Sequence, residues 1–307
     1  MKPVSCGARP GVVLLAGWIR SFGLPLFYSK DKAFMHYGYF NGTIAPTDQL
    51  AVGVTDLGLL RGYGLFDYFL TYNGRPFQWD WYWERFQNSA MRMHLPLPMS
   101  KTETYAVVMK LIEQGGGTDT GIRFVLTGGY SADSISIEKP NLLMLTEPIH
   151  PTSVSQYEQG IKVILDEYVR EIAEVKSTDY KRVILLAQAI RAAGASDVLY
   201  QKGGEISELS RSNFFLVKGD QLITPNRNIL HGITRRLVMQ LAQSAFEVIE
   251  RPVLLSDLYD ADEAFTTSST KKVLPITQIG DLTIGDGKVG PKAKFLLEQV
   301  DELIENW

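Results

Sequence analysis

Twice in the first half of the chain an Asn-Gly pair sits between bulky apolar runs, and this forces antiparallel β-structure there. Tyr37–Phe40 runs into Asn41-Gly42 and then Thr43-Ile44; residues 65–72 run into Asn73-Gly74. Two-residue hairpins need positive φ at their central positions, which Asn and Gly tolerate. Between and after these turns the period changes. Trp79, Trp83, Phe86, Ala90 and Met93 fall at helical spacing, so 79–93 predicts a helix. A second helix is expected over 102–114, closed by Gly115-Gly116-Gly117, and 121–127 and 141–146 read as strands. Residues 35–150 therefore read as a small α+β domain. Pro148, Pro151 and neighbouring hydroxyl residues make 147–156 a linker. Beyond it, 161–165, 198–201, 213–217 and 221–223 read as strands. Helices are expected over 180–193, ended by Gly194, and over 234–244 and 291–303. The second, larger domain would cover 151–307.

A chain of 307 residues has room for these two cores. Its formal charge is −3 with no Lys/Arg-rich run, which argues against a nucleic-acid partner. The single cysteine, Cys6, excludes an intramolecular disulfide and multi-cysteine zinc patterns, and a reduced cytoplasm is the simplest compartment. His36, His94, His150 and His231 stand singly, so no metal is expected. The apolar run at 12–16 is cut by Arg20 and is too short to span a membrane, so no membrane partner is expected either. Residues 1–34 read as a disordered extension.

Four segments interrupt apolar elements with polar residues: 61–67, 174–180, 205–215 and 229–236. A hydroxyl-rich turn follows at 266–275. Read singly, each fits a structural role. Lys176, between a charged stretch and an apolar helix, fits a solvated surface residue; the chemical alternative is a lysine whose lowered pKa makes it a nucleophile and base. Glu208 fits a turn carboxylate. Gly232-Ile233-Thr234 fits a helix start, and the free amides of a helix start also bind anions. Ser268, Ser269 and Thr270 fit a plain turn or further donors to the same anion.

Their order is far more specific. From about Tyr37 to the C-terminus the series resembles the fold-type IV (class IV) pyridoxal-phosphate-dependent aminotransferases, the D-amino-acid and branched-chain enzymes. The family pattern xGxGxF(D/E) is met by Arg61-Gly62-Tyr63-Gly64-Leu65-Phe66-Asp67, and NGxxF by Asn73 to Phe77. RLxxSA corresponds to Arg85 to Ala90, Kxx(N/D)Y to Lys176 to Tyr180, and (V/I)xExxxxNxF to Ile206 to Phe215. TPxxxxxLxGITR matches Thr224 to Arg235, and the cup motif (S/T)(S/G)TxxxxxP is approximated by Ser268 to Pro275.

The resemblance implies an α+β two-domain fold whose larger domain is a pseudo-barrel of strands, and pyridoxal 5'-phosphate as cofactor. Lys176 would bond the cofactor and move the substrate proton. Glu208 would face the pyridine nitrogen, and Tyr180 the 3'-oxygen. Arg85, Ile233, Thr234, Ser268 and Ser269 would hold the phosphate. The reaction would be ping-pong transfer of an amino group from an amino acid to a 2-oxo acid such as 2-oxoglutarate, in a cytoplasmic homodimer.

Several positions depart from the pattern. Ser269 stands where threonine is usual and Asp179 where asparagine is; Trp81-Tyr82-Trp83 also differs. The 128–134 loop lacks the RxH pair with which D-amino-acid enzymes commonly trap a carboxylate. Arg61 and Arg211 are the expected alternative trap, since arginine forks onto carboxylates, with Tyr63 and Tyr130 as further substrate contacts. This favours a D-amino-acid transaminase. A branched-chain L-amino-acid aminotransferase, supported by Tyr180, and an aminodeoxychorismate lyase stay open.

Overall fold

The computed structural model describes residues 36–117 and 119–307; the extension expected at 1–34 lies outside the described residues. Both Asn-Gly pairs turn the chain as their chemistry predicts, with φ of 45° and 102° at Asn41 and Gly42 and 52° and 68° at Asn73 and Gly74. The strands they join are β1 (Tyr37–Phe40) with β2 (Thr43–Pro46), and β3 (Gly64–Tyr72) with β4 (Arg75–Pro76). With β5 (Gly121–Tyr130) and β6 (Lys139–Glu147) they form one antiparallel sheet in the order β2-β1-β6-β5-β3-β4.

A short helix that the sequence patterns did not reveal, α1 (Leu57–Arg61), is capped by the Asp56 carboxylate and ended by Gly62 at φ 65°. The helix expected over 79–93 is α2 (Trp79–Arg92), and that over 102–114 is α3 (Lys101–Gln114), opened by a Ser100/Glu103 capping box. The helical spacing of α2 puts Trp83, Phe86 and Ala90 on one buried face. Phe86 from α2 and Phe69 from β3 both meet Phe124 of β5 edge-on, at 5.4 and 5.3 Å between ring centroids. Burying each such ring contributes roughly 2–3 kcal/mol, so this cluster fixes α2, and with it Arg85, against the sheet.

The linker expected over 147–156 is in part helical: α4 (Val154–Gln159) begins within it. The remaining strands are β7 (Ile161–Glu167), β8 (Asp197–Lys202), β9 (Glu205–Leu209), β10 (Asn213–Lys218), β11 (Gln221–Thr224), β12 (Glu247–Glu250), β13 (Val253–Leu254), β14 (Glu263–Ser268), β15 (Lys272–Ile279) and β16 (Leu282–Thr283). Six of them run β10-β14-β15-β7-β8-β9, and the ring closes where Glu208 of β9 pairs with Asn213 of β10. Glu208 thus stands at the seam of a barrel. Helix α5 (Lys181–Ala192) connects the parallel pair β7 and β8. Helices α6 (Ile233–Ala242) and α7 (Pro291–Glu305) share a core with the outer face of the barrel, where Phe215 and Phe265 stack at 4.9 Å. Strand β10 is buried at every position from Asn213 to Val217, because apolar layers cover both its faces.

Candidate active site

Between β7 and α5 the chain passes beside β3. The Phe66 amide donates to the Lys176 carbonyl at 2.8 Å, and the Thr178 amide to the Gly64 carbonyl at 3.0 Å. Glycine at 64 eases this approach: a Cβ there would stand tightly, 3.2 Å from the Leu126 carbonyl oxygen and 3.3 Å from Thr178 Oγ1. Val175 is buried, and Lys176 Nζ lies over the Phe66 ring, 4.7 Å from its centroid. Burial, and then the charge of Arg85, bring the Lys176 amine from 10.5 down to about 7; Arg170 adds to the effect, while Asp67 and Glu208 oppose it. At neutral pH about half of the amine is therefore uncharged and able to attack or to take a proton.

Glu208 is 3% exposed. Its Oε2 accepts from the Leu230 amide at 3.0 Å and from Asn213 Nδ2 at 3.4 Å. Its Oε1 is buried and accepts no hydrogen bond, although Arg170 Nε is 3.1 Å away. Burial pushes the carboxyl up to about 7, against the pull of Arg170, the Leu230 amide and Lys176. A cationic or protonated group meeting Oε1 would hold it ionised.

An anion cradle lies on the same cavity. Gly232 precedes the first turn of α6, and no side chain caps the helix; a Cβ at Gly232 would fall 2.0 Å from Asn213 Oδ1. Ile233 and Thr234 open that turn, so their amides are free to bind an anion. Facing them is the turn 267–270. Thr267 Oγ1 is buried there without a partner, and the Ser269 hydroxyl is 2.6 Å from the Tyr82 hydroxyl. Arg85 forks onto buried Asp67, Nε to Oδ2 at 2.9 Å and Nη2 to Oδ1 at 2.6 Å, while Nη1 reaches only the His231 carbonyl at 3.4 Å. Nη1 thus keeps donor capacity for an anion.

Lys176, Glu208, Arg85, Tyr180, Ile233, Thr234, Ser268 and Ser269 all line one cavity of about 780 Å³, a volume suited to a small ligand. Tyr180 packs 5.6 Å from Phe66, with the Arg170 guanidinium 5.1 Å from its ring. Arg211 lines the cavity too. The other three expected substrate contacts point elsewhere within this chain. Arg61 is exposed and bonds to the Leu60 carbonyl at 3.0 Å; the Tyr63 hydroxyl donates to the Met93 carbonyl at 2.5 Å; the Tyr130 hydroxyl accepts from the Gly53 amide at 2.9 Å. The sequence patterns did not single out Arg170, Arg123, Lys271 or Thr267, all on the cavity wall. Arg170 was hidden in a charged stretch, and Thr267 among like hydroxyls. Arg123 is a lone cation on a strand whose Glu147 partner is remote in sequence.

Residues 64–279 match the model of the amino-transferase class IV family. The chain belongs to the class IV aminotransferases. A Methanocaldococcus jannaschii protein, provisionally named a branched-chain-amino-acid aminotransferase, is 31% identical over 281 residues, 88% of this chain and 96% of that one. A D-alanine aminotransferase of Listeria monocytogenes is 28% identical over 277 residues, 86% and 95% of the two chains. Among solved structures, the Escherichia coli branched-chain amino acid aminotransferase superposes with TM-score 0.82 at 23% identity, covering 88% of this chain and 95% of that one. The T.th. branched-chain amino acid aminotransferase with pyridoxamine 5'-phosphate gives the same score and identity over 88% and 94%.

Class IV aminotransferases use pyridoxal 5'-phosphate, and two buried acceptor or hydroxyl atoms on the cavity that lack hydrogen-bond partners, Glu208 Oε1 and Thr267 Oγ1, fit that group. Glu208 Oε1 would accept from the ring nitrogen, and Thr267 Oγ1 would donate to the phosphate together with the α6 amides, Ser269 and Arg85. When bound, the cofactor supplies a carbonyl for the substrate amine and a ring that accepts electrons. In such an enzyme Lys176 would supply the amine that holds the cofactor and the base that moves the proton, and its lowered pKa of about 7 suits both roles at neutral pH.

Proposed function

We propose that the enzyme transfers the amino group of a D-amino acid to a 2-oxo acid, 2-oxoglutarate foremost, by ping-pong exchange, and acts as a cytoplasmic homodimer. The observation that carries the reading is Arg211. Of the arginines lining the cavity, Arg85 is held by Asp67, Arg123 by Glu147 and Arg170 by Glu208; Arg211 alone has no acidic partner among the described residues. A guanidinium left unneutralised in a substrate cavity is a fork for a carboxylate. The likeness to D-alanine aminotransferases supports the D-configuration. Arg61 would complete the trap from a second copy of the chain. Exposed Leu59 and Leu60 on α1 and Ile184 and Leu185 on α5 supply apolar surface for such a contact.

A panel of D- and L-amino acids, followed by loss of the visible absorbance of the lysine-bound cofactor, tests the proposal. D-amino acids should discharge the absorbance and yield their 2-oxo acids. Arg211→Ala should raise KM about 10- to 100-fold, the loss expected for a charge-assisted pair, without altering cofactor absorbance. Discharge by branched-chain L-amino acids alone would establish the rival activity, which the M. jannaschii likeness and the placement of Tyr180 favour. Product formed over many turnovers without any 2-oxo acid acceptor, beyond the one equivalent per site of a half-reaction, would indicate a lyase.

A further inference from the structure

Arg211 projects from a tight turn in which the Leu209 amide donates to the Ser212 carbonyl at 2.8 Å. The residues on either side of it, Ser210 and Ser212, are buried although Arg211 itself is exposed. Both serines run into one ion pair. Ser210 Oγ donates to Asp197 Oδ1 at 2.5 Å, and Lys271 Nζ donates to Asp197 Oδ2 at 2.8 Å and to Ser212 Oγ at 3.4 Å. Asp197 is 3% exposed and also accepts from the Val198 amide at 2.8 Å. Arg170, the partner of Glu208, donates through Nη2 to the Ser210 carbonyl. The pair thus joins the turn carrying Arg211 to β8 and to the turn that ends in Lys271.

We propose that the Asp197–Lys271 pair and its two serine links are a positioning device that sets Arg211 for the substrate carboxylate. The proposal deepens the assignment of Arg211 as the carboxylate fork and rests on it. A long guanidinium side chain on a free turn would lose entropy each time it closed on a substrate. Fixing the turn on both flanks removes the backbone share of that loss. The pair itself has little charge to offer a ligand, because each partner neutralises the other. A buried ion pair is a weak source of stability, but its rigid geometry suits it to fix a register.

Loosening the links should therefore weaken carboxylate binding only while Arg211 is present. The test is steady-state kinetics of the holoenzyme with Ser210→Ala/Ser212→Ala, which cuts both links and keeps the buried pair. A second variant, Asp197→Asn/Lys271→Met, removes both charges together and so strands neither. Each is also made in an Arg211→Ala background, with the 2-oxo acid and amino acid found in the substrate panel. KM should rise about five- to tenfold, the scale of one or two neutral hydrogen bonds, while kcat falls less and the cofactor dissociation constant holds. In the Arg211→Ala background the same changes should have no further effect on KM. Equal KM increases with and without Arg211 would overturn the device, and so would no increase at all. An Arg211→Ala enzyme with ordinary KM would instead remove the carboxylate fork on which the device depends.

Discussion

Replacing Lys176 by Met should stabilise the cofactor-free protein at low pH while abolishing turnover. The amine falls from 10.5 in an unfolded chain to about 7 in the fold, chiefly through burial. A lysine whose folded pKa is depressed is penalised when charged. Between pH 7 and 10.5 the unfolded chain therefore binds the extra proton, and stability rises with pH across that window. Below pH 7 the whole penalty is present, up to about 5 kcal/mol for this displacement. The half-buried amine borders an open cavity, so solvent screening reduces the expected share to about 2–4 kcal/mol. Methionine fills nearly the same volume over Phe66 and carries no charge. Urea unfolding of the two apo proteins, followed by tryptophan fluorescence, should show the variant more stable at pH 6, less so at pH 9, and equal near pH 10.5. A variant that is no more stable at pH 6, or whose advantage grows with pH, would refute a depressed amine at this position. The same displacement has a catalytic counterpart. At pH 7 about half of the amine is neutral, where an ordinary lysine would offer about one part in 3000.

Three further perturbations probe the surroundings. Arg85→Ala strands the buried Asp67 carboxylate, so thermal denaturation should show a loss of about 3–5 kcal/mol; Asp67→Asn/Arg85→Leu should regain most of the stability but not the cofactor affinity. Tyr82→Phe removes the hydroxyl that meets Ser269 in the anion cradle; the cofactor dissociation constant in equilibrium dialysis should rise about fivefold, one hydrogen bond's worth, with the melting temperature little changed. Gly129→Ala puts a Cβ 1.7 Å from the Lys139 carbonyl oxygen at φ 68°. It should unsettle the irregularity between β5 and β6 and cost more than about 2 kcal/mol in a circular-dichroism melt.

Much of this architecture was legible in the sequence because local chemistry decides it. Asn-Gly turns, the apolar spacing of α2 and the glycines that close α3 act over a few residues, and those elements stand within a residue or two of the expected places. The lysine and the glutamate were legible through motif order, and both line one cavity. What stayed hidden depends on remote partners. Strand β15 contains Pro275, which on its own argues against a strand, yet Pro275 pairs with Phe265 in the barrel. Helix α1 spans only five residues and owes its start to one side chain, Asp56, that also binds Thr127 and Asn141. Arg170 and Lys271 carried no signal in the sequence; their roles follow from Glu208 and Asp197, which the fold brings against them.

The main chain at residue 176 is held by a strand contributed more than a hundred residues earlier, and the cradle beyond it draws Arg85 and Tyr82 from the same early part of the polypeptide. Neither fragment of a chain severed near residue 150 would own a working centre. Mixed together, the pieces should turn yellow with added cofactor only as they reunite, so colour would report reassembly and not the folding of either piece. Any compound that wedges the two sheets apart would bleach the enzyme without having to bind where the substrate does.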